Sequence, residues 1–173
     1  MSIKILTISP PVFLMACASL TEEACRAGNW ETIGYNDGVR GRADSYINQH
    51  RESCGEYGIA PNTTVWLQGR IQGLKQYCTP PNAYKTGLRG SELNNVCAPA
   101  QISELRLANF FGLRYYEIDR EIDALDDEIK ELLELLANEP DEAIRKIYID
   151  RIGDIQKTAS ALQFELVKYA SLP

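Results

Sequence analysis

The chain has 173 residues, 45% of them hydrophobic and 24% charged, with a formal net charge of −6. That length suits one domain, or a small domain with an extension, and is enough to bury a core without help from cross-links. The negative balance argues against nucleic acid as a partner, since phosphate binding needs clustered Lys and Arg, and no run reaches the ~18 apolar residues of a membrane span.

Residues 1–16, MSIKILTISPPVFLMA, place one lysine before an apolar stretch that ends in the small Ala16, directly ahead of Cys17. This is the layout expected of a secretory signal peptide. The ending "LMAC" is similar to a bacterial lipobox, so Cys17 is the expected lipid attachment site, although Pro10 and Pro11 interrupt the apolar centre. The cysteine count agrees. Five is odd, and assigning Cys17 to a lipid leaves Cys25, Cys54, Cys78 and Cys97 for two disulfides in an oxidising compartment. Four thiols allow three pairings. The sequential one, Cys25–Cys54 and Cys78–Cys97, is preferred because each bond would tie a helix to the segment after it.

Between Cys17 and Ala100, eight basic and eight acidic residues cancel. Ser19 and Glu22 have capping-box spacing, which predicts a short helix ending near Gly28. Asn29 caps a second segment, WETIGYNDGVRGR, and Asp44 to Glu56 reads as a third helix. Asn62 is placed to cap TTVWLQGRIQGLKQYC. Residues 79–99 are rich in Pro, Gly and Asn without periodicity and read as loop.

Two of these segments echo each other. WETIGYNDGVRG carries Gly34 and Gly38, and WLQGRIQGLKQY carries Gly69 and Gly73, each pair four apart and each preceded by a tryptophan. A glycine inside a helix costs about 1 kcal/mol relative to alanine, so four of them need a reason. Spacing by four lines one helix face, which another backbone or a flat ring can approach closely. Two uses fit: close packing of helices, or a binding groove lined by Tyr35, Asp37, Arg40, Gln68 and Arg70.

Taken in order, Cys25 with "GNW", then "IGYNDGVRG", "HRESCGEYGIAP", "WLQGRIQGLKQYCTPPNAYKTGLRG" and "NNVC" resemble the DUF2799 family of Gram-negative envelope lipoproteins. The resemblance covers most of Cys17 to Pro99. It implies an anchor and a compartment, with Cys17 as the lipid site, and it implies no reaction and no catalytic residue. Ala18 is not the aspartate that resembles an inner-membrane retention signal, so the expected location is the periplasmic face of the outer membrane.

From Gln101 to Pro173 there are nine basic and sixteen acidic residues. Tyr115, Ile118, Ile122, Leu125, Ile129, Leu132 and Leu136 alternate by threes and fours, as do Tyr148, Ile152, Ile155, Ala159, Leu162, Leu166 and Tyr169. Each is the seam of a long helix, and the break at "NEPD" folds the two into an antiparallel hairpin. Such a hairpin either buries its seam on itself or offers part of it to a partner helix or a second copy.

Chemistry is sparse. The lone His50 lies four residues before Cys54, and with Cys78 and Cys97 it would make a Cys3His set, but zinc knots bring ligands in closer pairs. A Ser-His-Asp hydrolase would need His50 beside a serine, and there is no GxSxG elbow or phosphate-cradling glycine loop. No catalytic residue, metal or cofactor is nominated. The expectation is an all-α protein: a signal peptide over 1–16, a disulfide-stapled helical domain over 17–100 and an acidic coiled-coil-like hairpin over 101–173. It is read as a non-catalytic envelope lipoprotein acting by protein contact, with a periplasmic binding module or hydrolase for a cell-wall fragment or small ligand as the alternative.

Overall fold

The computed structural model describes residues 18–172, so the expected signal peptide and Cys17 lie outside the described residues. Among the described residues the fold is all-α, without strands. The helices are α1 (Glu22–Ala27), α2 (Trp30–Val39), α3 (Ile47–Gly55), α4 (Thr63–Tyr77), α5 (Pro80–Gly87), α6 (Ile102–Asn138) and α7 (Glu142–Leu166). Short 3-10 turns at Asp44–Tyr46 and Val167–Tyr169 precede α3 and follow α7.

Side-chain caps set four of the seven helix starts, and the cap expected at Asn29 makes no hydrogen bond to α2. Thr21, rather than Ser19, caps α1 by accepting from the Ala24 amide, and Asn62 caps α4 by accepting from the Val65 amide. The stretch expected to be loop contains α5. Its two prolines sit in the first helical turn, where their missing N–H groups are not needed, and Thr79 caps it through the Asn82 amide.

The glycine strips face each other. α2 crosses α4 so closely that a methyl group on Gly34 would overlap the Trp66 carbonyl, one on Gly38 the Arg70 carbonyl, one on Gly69 the Glu31 carbonyl and one on Gly73 the Tyr35 carbonyl. A Cα hydrogen of each glycine therefore points at a carbonyl oxygen of the facing helix, a weak contact that recurs at tight helix crossings. No groove is left between the strips.

The same crossing occurs a second time, between α5 and α6. A methyl on Gly87 would overlap the Asn109 carbonyl, and one on Gly112 the Tyr84 carbonyl. Four residues before these glycines stand Ala83 and Ala108, both buried, where the first crossing has Gly34 and Gly69. After each leading helix a left-handed glycine, Gly41 (φ 66°) or Gly90 (φ 70°), turns the chain under a tyrosine ring of the partner helix, Tyr77 or Tyr116. Arg70 Nε donates to the carbonyl of Arg42 in the first unit, and Asn109 Nδ2 donates to the carbonyl of Ser91 in the second. Residues 30–77 and 80–116 are thus two copies of one helix-crossing unit.

Each unit has its own core, and one disulfide ties each core to the segment just before its unit. Cys25, Trp30, Ile47, Cys54 and Trp66 form one cluster, and Ala83, Leu105 and Ala108 form the other, with Cys78 and Cys97 packed against it. The bonds are Cys25–Cys54 and Cys78–Cys97, closing loops of 29 and 19 residues of sequence separation. Loops of those lengths correspond to about 3–4 kcal/mol each by chain entropy. The second core takes Leu105 and Ala108 from α6, so it runs across the boundary expected at residue 100. A cut there would divide a packing unit.

α6 and α7 form the antiparallel hairpin. Asp141 caps α7, and Arg145 closes the turn by donating to the carbonyls of Leu136 and Glu139. Arg114–Glu165 and Arg151–Glu128 pairs set the register. Ile118, Ile122, Ile152, Ile155 and Ala159 are buried, whereas Leu125, Ile129, Leu132, Leu136 and Tyr148 towards the turn are only half-buried.

Candidate functional site

Three features were candidates for function, and the buried polar row is the most ordered. Asp37 projects from α2 into the first core, where its Oδ2 accepts from Trp66 Nε1 (2.9 Å) and pairs with His50 Nε2 (2.7 Å). His50 Nδ1 lies 2.8 Å from Ser19 Oγ, which is 3.0 Å from Ser53 Oγ, and Ser53 also accepts from the Ser19 amide. Asp37 is 4% exposed and His50 2%. A buried carboxylate needs its hydrogen bonds supplied internally, and here every buried side-chain polar atom among the described residues has a partner. Ser19, His50 and Asp37 are the residue types of a hydrolytic relay. A serine on one ring nitrogen and a carboxylate on the other is the pairing such a relay uses. Here the ring and the carboxylate are sealed in the core, the carboxylate also holds Trp66 Nε1, and the row ties residues 19 and 20 to α3. Arg70 lies over the Trp66 ring (6.0 Å), and burial pulls its guanidinium below the usual arginine range, against the pull of Asp44 and Asp37.

The residues expected to line a ligand face are not gathered into one. Asp37 and Arg70 are buried in the first unit, while Tyr35, Arg40 and Gln68 are exposed on its surface. The physical reason is the crossing itself: the glycines admit a backbone, which fills the space a ligand would have used. The zinc set is not assembled either. Its cysteines are consumed in the two disulfides, and His50 is turned to Asp37 and Ser19.

A second feature went unread in the sequence. An open surface cleft of about 470 Å³ lies where the two units meet, lined by Gly41, Arg42, Ala43, Ser45, Tyr46 and Gln49 on one side and Asn94, Asn95 and Val96 on the other, most of them exposed. Its walls are fixed from behind. Asn94 Nδ2 donates to the Gly41 carbonyl, the Asn94 amide donates to Tyr77 Oη, and Tyr46 meets His50 edge-on at 5.1 Å. The available signal was the repeat of "GVRGR" (38–42) as "GLRGS" (87–91), and of "GLKQY" (73–77) as "GLRYY" (112–116). It marks both crossings and hence the junction between them.

The third feature is a patch near the hairpin turn. Leu135 stands seven residues after Glu128, and Ile144 and Ile147 stand seven and four before Arg151. Helical spacing puts all three on the face that carries the Glu128–Arg151 pair. They are 46%, 37% and 63% exposed, and from Asp123 to Glu139 seven acidic residues accompany a single lysine.

No curated relative and no solved structure matches the chain. Residues 29–110 match the family model described as "Protein of unknown function (DUF2799)", a segment running from the N-cap of α2 into α6 and covering nearly all of both crossing units. Residues 29–110 are thus a DUF2799 domain, which spans 82 of the 173 residues.

Proposed function

We propose that the protein is a non-catalytic cell-envelope lipoprotein, held by a lipid on Cys17 at the periplasmic face of the outer membrane, whose acidic hairpin receives a protein partner. The carrying observation is the exposed trio Leu135, Ile144 and Ile147 beside the Glu128–Arg151 pair. An apolar patch ringed by carboxylates matches a partner helix whose apolar face is rimmed by Lys and Arg. The two disulfides support an oxidising compartment, and the burial of Asp37 and His50 in the first core supports a structural rather than a chemical role.

Two measurements test the reading. Intact mass after expression of the full chain in a Gram-negative host is expected to fall by residues 1–16, rise by a lipid adduct on Cys17 and rise by four protons on reduction. An uncut chain without adduct would remove the anchor. For the hairpin, a photo-crosslinker in place of Ile147 is expected to give one discrete adduct in the envelope, lost in Leu135→Asp and Ile144→Asp proteins that melt like the parent. An adduct of twice the chain's own mass would assign the patch to a second copy instead, and no discrete adduct would sink the partner.

A further inference from the structure

The cleft between the two crossing units has one charged group in its lining, Arg42, and no carboxylate. We infer that it is a binding site for a small, hydrogen-bonding ligand that carries one carboxylate, with Arg42 holding the carboxylate and Gln49 and Asn95 the neutral polar groups. This goes beyond the hairpin reading and does not depend on it.

The first support is that the groove is rigid without using its own polar ends. The hydrogen bonds that fix its walls run through Asn94, the Gly41 carbonyl, Tyr77 and the Arg42 carbonyl, which accepts from Arg70 Nε at 2.7 Å. The side chains of Arg42, Ser45, Gln49 and Asn95 take no part in them. The backbone frame of the site is thus held before a ligand arrives, and only the exposed side chains of Arg42, Gln49 and Asn95 are ordered on binding.

The second support is the state of the cation. The Arg42 guanidinium lies over the Tyr46 ring at 4.6 Å and forms no ion pair among the described residues, although the chain carries 24 acidic residues against 18 basic ones. Its sequence neighbour Asp44 is turned onto its own backbone, accepting from the Ser45 amide at 2.8 Å. The N–H donors of the guanidinium make no hydrogen bond among the described residues and are open to a planar carboxylate.

The third support is internal to the fold. The position equivalent to Arg42 in the second unit is Ser91, the residue after the left-handed glycine, and its carbonyl receives Asn109 just as that of Arg42 receives Arg70. The crossing therefore needs a carbonyl at this position and does not need a cation. The guanidinium of Arg42 is surplus to the fold, and it lines an open cleft.

The test titrates the full, disulfide-bonded chain, 15N-labelled, with N-acetylmuramic acid, with its uncharged counterpart N-acetylglucosamine, and with inorganic phosphate. N-acetylmuramic acid is expected to give saturable shifts confined to residues 41–49 and 94–96. N-acetylglucosamine and phosphate should each bind at least tenfold more weakly. Arg42→Gln is expected to weaken N-acetylmuramic acid binding at least tenfold with an unchanged melting temperature, whereas Arg89→Gln on the second unit leaves it alone. No saturable shift, equal binding of the neutral sugar or of phosphate, or an Arg42→Gln protein that binds like the parent would each overturn the assignment.

Discussion

Gly73→Ala is expected to lower the melting temperature by about 6–12 °C, corresponding to a loss of about 3 kcal/mol for a chain of this size. The added methyl would overlap the Tyr35 carbonyl and crowd the Val39 amide, and both are backbone, so no side chain can swing aside to admit it. Against this stands a helix-propensity gain of only about 1 kcal/mol. Gly112→Ala should behave alike, because its methyl would meet the Tyr84 carbonyl and the Leu88 amide in the same places. Gly153 is the control: nothing lies near its missing side chain, so Gly153→Ala should raise the melting temperature by a few degrees. A Gly73→Ala protein that melts at or above the parent would refute the backbone contact between α2 and α4.

Asp37→Ala should be comparably damaging for a different reason. It strands Trp66 Nε1 and His50 Nε2 inside the first core, where each lost partner costs roughly 1–3 kcal/mol, and it leaves a void behind. A loss of about 3–5 kcal/mol is expected in urea denaturation, together with a red shift of tryptophan emission as water reaches Trp66. Asp37→Asn retains one acceptor oxygen and should lose about half as much. If alanine and asparagine proved equally harmless, the row would not be holding the core.

How much of this was legible in the sequence depends on how local each signal is. The hairpin was, because the spacing of Ile118, Ile122, Leu125 and their counterparts in α7 is written along single helices. The glycines at 34, 38, 69 and 73 announced a close approach, and the choice between a helix and a ligand as the approaching body was decided only by the crossing itself. The second crossing was hidden because Ala83 and Ala108 replace the outer glycines, leaving one glycine per helix, and because Pro80 and Pro81 read as breakers although they occupy a first turn. Asp37 and His50 lie thirteen residues apart on different helices, and nothing local pairs them. The cleft at Arg42 depends on the loop at 94–96 returning to Gly41, a contact across 53 residues of sequence.

The tight crossing at Gly112 also sets the mechanics of the arm. α6 runs 26 residues from Gly112 to Asn138, about 39 Å at the rise of an α-helix. A tilt of about 5° at its root would move the far end by roughly 3 Å. Where backbones touch there is no cushion of side chains to absorb such a tilt, so the mount is stiff. A sideways load on the turn at residues 139–141 would act as torque on the disulfide-bonded unit beneath it, and the arm would behave as a lever rather than a tether.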